Sequence, residues 1–267
     1  MTDRVRLTIN DGVADVRLNR PDKMNALDPD MFSAITDAGA RLKEHPGIRA
    51  VVLSGEGRAF CAGLDFDRMI AAAKGESILP HADLGKRTHG IANWAQHLVW
   101  LWRDLPVPVI AAVHGVAFGG GFQLALGADL RYVAPDTRFA VIETKWGLVP
   151  DMAGTQLMRH VAREDIVREL TYTGRTFSAE EALDFGFVTT IVRDPLAAAL
   201  STAREIASRS PDAIRAAKRL LNLAATCDAA IGLAAETAEQ KALLGKPNHI
   251  EAVRANLERR APQWSGA

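Results

Sequence analysis

The order of short apolar runs along the chain constrains its fold more than any other feature. Near-continuous apolar runs at residues 49–53 and 107–113 predict buried strands, and helical spacings separate them. After about residue 195 the pattern changes, and helix follows helix to residue 260. The chain is therefore predicted to have a mixed αβ core at residues 1–194 and a helical region at 195–267. Because this tail is apolar, it must pack on its own core or on a neighbouring subunit.

Local signals place most of the elements. Alternating apolar residues at 5–9 and 13–18, joined by Asp11-Gly12, predict a hairpin. Asp28-Pro29 predicts the start of a helix over residues 29–43, and apolar spacing predicts another from Ile91 to the proline at 106. Further strands are expected at 130–133, 139–142 and 188–192. A helix is expected after residue 174, where Ser178 with Glu181 forms a capping box, and helix breaks are expected near residues 210, 227 and 245. Residues 66–90 are interpreted as a short helix followed by a mobile loop.

Composition excludes several classes of protein. The 267 residues, at about 150 per domain, predict one large domain or one domain with an appendage. The 32 basic and 32 acidic side chains give zero net charge, which argues against nucleic-acid binding. Two cysteines in a chain of this length indicate a reducing compartment. With no apolar signal core in MTDRVRLTIN, a cytoplasmic protein without a membrane span is expected.

Several familiar motifs are absent or too weak to use. There is no G-x-S-x-G elbow and no Walker lysine. Gly55-Glu56-Gly57 resembles the start of a dinucleotide-binding fingerprint, but Phe60 stands where that fingerprint has its third glycine. His89 and His97 lack a third ligand in helical register, so ordinary histidines are favoured over a metal site. The tryptophans at 94, 100 and 102 could line a pocket, but a helical aromatic stripe is more often core.

Two loops rich in small residues follow apolar strands, one at residues 59–65 and the other at 114–121. Small residues allow a ligand to approach the backbone closely, and free N–H groups cluster where a loop opens a helix. Two such amides converging on one point would form an oxyanion hole, with each donor worth about 3 kcal/mol. Two flexible turns are the alternative.

Two carboxylates come after the second loop. Glu143 follows a strand, and Asp151 lies eight residues further on. A carboxyl group among apolar neighbours has a raised pKa and can move protons. A helix cap or a salt-bridge partner is the alternative.

Four segments together resemble one known family. They are RPDKMNALD, GRAFCAGLDF, PVIAAVHGVAFGGGFQLALGADLRY and ETKWGLVPDMAGTQLM. In this order and spacing they are similar to the crotonase superfamily, the enoyl-CoA hydratases and isomerases. The resemblance implies an α/β fold, a crotonase-like spiral of ββα units with a C-terminal helical region used in trimer assembly. It also implies an acyl-CoA substrate, assembly as a homotrimer or a pair of trimers, and no metal or redox cofactor, with coenzyme A entering as part of the substrate.

The resemblance assigns the oxyanion donors and the coenzyme A contacts. The amides of Leu64 and Gly120 are expected to hold the thioester oxygen while an enolate forms. The residues expected to contact coenzyme A are Lys23, Arg58, Ala62, Leu64 and Asp65. Of these, Lys23 and Arg58 match positions near the CoA phosphates, although ordinary exposed charges are the alternative. Residues 66–105 are expected to shape the acyl pocket.

The chain departs from the family pattern at one catalytic position. Hydratases of the family use two glutamates, and the first position here is Gln123, which cannot ionise. The second is Glu143, and Asp151 matches an acidic position of dienoyl-CoA isomerases within E-x-x-x-G-L-x-x-D. Double-bond isomerisation by Glu143 and Asp151 is therefore favoured over hydration. The alternatives are a hydratase in which Gln123 orients water, and a non-catalytic acyl-CoA-binding or RNA-binding relative.

Overall fold

A computed structural model describes residues 3–76 and 83–265. Within them the strands are β1 (Val5–Asn10), β2 (Val13–Leu18), β3 (Ala50–Gly55), β4 (Val109–Val113), β5 (Val116–Phe118), β6 (Leu130–Val133), β7 (Arg138–Ala140), β8 (Thr176–Ser178) and β9 (Thr190–Ile191). The α-helices are α1 (Pro29–Glu44), α2 (Phe66–Ala73), α3 (Trp94–Asp104), α4 (Gly120–Leu126), α5 (Gly154–Met158), α6 (Glu164–Thr173), α7 (Ala179–Asp184), α8 (Pro195–Ala207), α9 (Pro211–Ala224), α10 (Ala229–Leu243) and α11 (Pro247–Glu258).

Two sheets organise these elements. The larger has the order β1-β2-β3-β4-β6-β9, in which β1 and β2 form an antiparallel hairpin and the remaining pairs are parallel. The smaller has the order β5-β7-β8. β5 follows β4 after two residues but pairs in the smaller sheet, so the chain crosses between the sheets at His114-Gly115. This crossing carries the second glycine-containing loop out of the larger sheet and towards the first.

Local capping sets where several helices begin. The Asp28 carboxylate accepts the N–H of Met31 at the start of α1. Asn93 and Gln96 form a reciprocal capping box, so α3 begins at Trp94 rather than Ile91. The capping box of Ser178 with Glu181 is also present.

Two short strands were not predicted. β5 and β8 have three residues each, too few for periodicity to show, and they exist because β7 pairs with both. The segment after Gly174 therefore begins with a strand, and the helix expected there is α7, which follows β8. Helix α6, which ends before Gly174, was not predicted. Part of the loop expected at residues 66–90, including Pro80, lies outside the described residues.

Helix α8 belongs to the packing of the core. Ala199, Ala203 and Ala207 are buried in one cluster with apolar residues of β2, β3 and β4. The first helix of the helical region thus shares a core with the sheet. Beyond α8 the packing is thinner, because no residue of α10 is buried. Exposed apolar side chains on α10 and α11 are Ile231, Leu233, Ile250, Val253 and Leu257.

Other sequence expectations can be located on the fold. Trp102 is fully buried, and Trp94 stacks on Phe32, as a core assignment predicts. The His89 and His97 rings stack with centroids 3.8 Å apart. In the described part of the chain, no group of three side chains could hold a metal ion. No helix among the described residues is long and apolar enough to cross a membrane.

Candidate active site

The two small-residue loops lie side by side. The Cys61 N–H donates to the carbonyl of Val116, and the Phe118 N–H donates to the carbonyl of Cys61, each over 3.1 Å. On the other side of the first loop, the Leu27 N–H donates to the carbonyl of Gly63 over 2.7 Å. These bonds hold the segment ending at Leu64 directly against the start of α4.

Glycine is required for this approach. Gly63 has φ +87°, and a Cβ at this residue would lie 2.5 Å from the Phe118 carbonyl oxygen and 3.5 Å from the Gly120 nitrogen. A Cβ at Gly121 would lie 2.3 Å from the Cys61 carbonyl oxygen. Any side chain at these positions would push the loops apart.

Two backbone donors remain free at this junction. Gly120 is the first residue of α4, so its N–H has no acceptor within the helix. Among the described residues, neither this N–H nor that of Leu64 donates to a protein acceptor. Both residues line the same cavity. The predicted oxyanion donors are therefore brought together and left unpaired.

The cavity between these elements has a volume of about 360 Å³. Its polar side includes Asp22, Lys23 and Asp65. The larger apolar side chains of its lining include Met24, Phe66, Met69, Phe118, Ile142, Trp146 and Leu148. Of the segment 66–105 expected to shape an acyl pocket, Phe66 and Met69 line the cavity, and residues 24, 118 and 142–148 supply further apolar wall.

Glu143 is a largely buried residue of the cavity lining. It begins a 3₁₀ helix, Glu143–Trp146, which two residues separate from the end of β7, and it is 9% exposed. Its Oε1 accepts a hydrogen bond from Gln123 Nε2 over 2.5 Å. Its Oε2 is buried and has no hydrogen-bond partner among the described residues. Burial raises the pKa of the Glu143 carboxyl, and the negative charge of Asp151 raises it further.

Gln123 is a fully buried side chain of α4 that holds Glu143. Its Oε1 accepts the N–H groups of Met152 and Gly154, each over 2.9 Å. The sequence predicted Gln123 at the site but not this role. The one sequence signal that could have revealed it is Gly154, where a Cβ would lie 2.5 Å from Gln123 Oε1.

Asp151 lies next to the site but is not part of the cavity lining. Much of the residue is exposed, although partial burial of its carboxyl still raises its pKa. The structure thus brings Glu143 and Gln123 into direct contact and leaves Asp151 as a neighbouring charge.

The structure places most, but not all, of the residues predicted to contact coenzyme A at the cavity. Lys23 lines the cavity and forms an exposed ion pair with Asp67 over 3.5 Å. Ala62 and Leu64 also line it. Asp65 lines it too but is bound internally. Arg58 is exposed and outside the cavity lining.

Asp65 has a structural role in this arrangement. It is 3% exposed, accepts the Asp67 N–H over 2.8 Å at the start of α2, and pairs with Arg20. Burial opposes its ionisation, but these two contacts outweigh burial and lower the pKa of Asp65. Asp65 is therefore a fixed carboxylate that orders the first loop.

Known proteins share this architecture throughout the chain. The chain is 34% identical to carnitinyl-CoA dehydratase of Salmonella typhi, over all of both sequences. It is 32% identical to (E)-benzylidenesuccinyl-CoA hydratase of Thauera aromatica, over 98% of this chain and 99% of that protein. The crystal structure of enoyl-CoA hydratase from Bacillus anthracis superposes with a TM-score of 0.86 at 27% identity, covering 99% of this chain and 100% of the other. The family model for enoyl-CoA hydratase/isomerase matches residues 8–267. The chain therefore has the crotonase fold that the sequence predicted, and it belongs to the enoyl-CoA hydratase/isomerase family.

Proposed function

We propose that this protein shifts a carbon–carbon double bond of an enoyl- or dienoyl-CoA, with Glu143 as the general acid and base. The observation that carries the proposal is the Glu143 carboxylate. One oxygen is held by Gln123, and the other is buried without a partner in a residue that lines the cavity. A carboxyl group with a raised pKa can remove a proton at one carbon of the acyl chain and return it at another.

The free N–H groups of Leu64 and Gly120 supply the electrostatic part of this reaction. Removing a proton next to a thioester places negative charge on the thioester oxygen. Two fixed backbone donors stabilise that charge more than they stabilise the uncharged substrate. Each donor is typically worth about 3 kcal/mol in the transition state.

The two sides of the cavity indicate how the substrate lies. The ammonium group of Lys23 suits the coenzyme A phosphates, while Phe66, Met69 and Trp146 suit an apolar acyl group. In this orientation the thioester lies beside the oxyanion donors, and the acyl carbons lie beside Glu143.

Hydration or dehydration is the second candidate, favoured by the names of the relatives. Adding water requires a group that activates it as well as a proton donor. Gln123 cannot ionise, and Asp65 is bound to Arg20. Among the described residues that line the cavity, Glu143 is therefore the buried carboxyl group that has no ion-pair partner. A single carboxyl group of this kind favours isomerisation, which needs only one acid/base.

Isotopes distinguish the two reactions. The protein is incubated with a 2-enoyl-CoA, a 3-enoyl-CoA and a 3,5-dienoyl-CoA, in D₂O and separately in water enriched in ¹⁸O, and products are identified by mass spectrometry. Isomerisation of the 3-enoyl or dienoyl substrate without incorporation of ¹⁸O is expected. Rapid formation of a ¹⁸O-labelled hydroxyacyl-CoA from the 2-enoyl substrate would instead establish hydration. Gln123→Glu, which restores a second carboxyl group, is expected to raise that hydration.

A further inference from the structure

We infer that Gln123 is a positioning residue that fixes the Glu143 carboxylate so that Oε2 alone exchanges protons with the substrate. The inference rests on the proposed function of Glu143 as the acid and base. Gln123 stands at the first of the two positions where hydratases of the family carry a glutamate. The inference assigns this glutamine a role in orienting the other carboxyl group.

The orientation of the Gln123 amide follows from its partners. The N–H groups of Met152 and Gly154 are both donors, so the atom that receives them must be the amide oxygen. The amide nitrogen then faces Glu143 Oε1 and can only donate to it. Two backbone bonds on one side and one bond on the other leave the side chain a single orientation.

This orientation makes the two oxygens of Glu143 unequal. Oε1 is occupied by the Gln123 N–H, and Gly119 packs close to it, since a Cβ there would lie 3.3 Å from Oε1. A proton placed on Oε1 would face an N–H donor, which is unfavourable. Protonation therefore occurs on Oε2, the unpartnered oxygen.

The same hydrogen bond affects the charge of Glu143. A donor stabilises a carboxylate more than a neutral carboxyl group, so Gln123 opposes the effect of burial and lowers the pKa of Glu143. Asp151 acts in the opposite direction. The other ionisable groups lining the cavity are Asp22, Lys23 and Asp65.

Two variants remove the contact in different ways. Gln123→Met keeps an unbranched side chain of similar length but has no amide. Gly154→Ala leaves residue 123 unchanged and places a Cβ 2.5 Å from its Oε1, which must then move. Gly47→Ala is the matched control, because its Cβ would meet only His45 side-chain atoms at 3.5 Å or more.

The readouts are kcat, KM and the pH profile of kcat/KM, with thermal unfolding as a check on the fold. Both variants should lower kcat about tenfold or more, with KM changed less than about threefold, because binding contacts remain. Both variants should also move the acidic limb of the kcat/KM profile to higher pH. The control Gly47→Ala should change neither kcat nor the position of this limb. A purely structural role would lower stability without moving this limb.

Two different failures remain distinguishable. Full activity in Glu143→Gln would overturn the proposed function itself. Loss of activity in Glu143→Gln, combined with an unshifted pH limb in Gln123→Met and Gly154→Ala, would overturn only the positioning role. If Gln123→Met does not fold, the pH limb of Gly154→Ala decides alone.

Discussion

At the scale of single residues, Glu143 is subject to opposing influences. Burial and the charge of Asp151 raise its pKa, while the hydrogen bond from Gln123 lowers it. A general base works best when its pKa lies near the operating pH. Its environment therefore moves this carboxyl towards a pKa suited to both accepting and returning a proton.

Replacing Glu143 by Gln should remove isomerisation and retain substrate binding. The amide has nearly the same shape but cannot exchange a proton, so a loss of about 10²–10⁴-fold in kcat is expected. Turnover of a 3-enoyl-CoA and calorimetric binding of an unreactive acyl-CoA check the two parts. Turnover close to wild type would exclude Glu143 as the acid/base.

The pH dependence of the reaction should respond to Asp151. Proton abstraction needs ionised Glu143, so kcat/KM falls as the pH drops through the raised pKa of this group. Asp151→Asn removes a negative charge that opposes ionisation, and the acidic limb should move to lower pH. Asp37→Asn, an exposed change on α1, serves as the control. An unshifted limb in Asp151→Asn would mean that the two carboxyl groups are not coupled.

At the scale of elements, α4 presents a backbone donor at its first residue. Gly120→Pro removes the N–H at a position where helices tolerate proline, and turnover should be abolished. Circular dichroism and acyl-CoA binding show whether the fold survives, since a larger residue would also meet Met152 Sδ. Wild-type turnover in the variant would exclude this N–H as an oxyanion donor.

Helix α9 is anchored to the core by a buried lysine. Lys218 Nζ donates to the carbonyls of Trp102 and Val107 and to Asp129 Oδ2, over 2.8–3.1 Å. Lys218→Met removes the ammonium group from all three acceptors, although Asp129 Oδ2 still accepts the N–H of Val109. The change should lower the free energy of unfolding by about 3 kcal/mol. Denaturant unfolding measures this loss. Asp129→Asn should lower the free energy of unfolding less in the Lys218→Met background than in the wild-type protein. Losses of stability that simply add in the double variant would contradict the ion pair.

At the scale of the whole molecule, the helical region leaves apolar surface uncovered. Leu233 on α10 is 63% exposed, and Leu257 on α11 is 81% exposed. Large apolar side chains exposed on two successive helices are commonly covered by another subunit. Sedimentation equilibrium at micromolar concentration should therefore show a trimer or a pair of trimers. A monomer would show that α10 and α11 remain exposed in solution.

Much of this architecture could be predicted because its causes are local. Asp28-Pro29 and the capping box of Ser178 with Glu181 start helices through contacts within four residues. The loops of small residues after apolar strands likewise predicted the two segments that the structure brings to one cavity. Family resemblance then placed Glu143 and supplied the fold.

What only the tertiary structure decided depends on contacts between distant residues. β5 and β8 are too short to be recognised alone and exist through their pairing with β7. Gln123 reaches Glu143 across 20 positions and the Met152 and Gly154 amides across 29 and 31. By itself, the sequence determined that residue 123 is a glutamine, which cannot ionise, at a position where the family pattern has a glutamate. Only the packing of α4 against the segment at residues 152–154 decided which way that amide points, because its orientation is set by backbone donors that the fold brings to it.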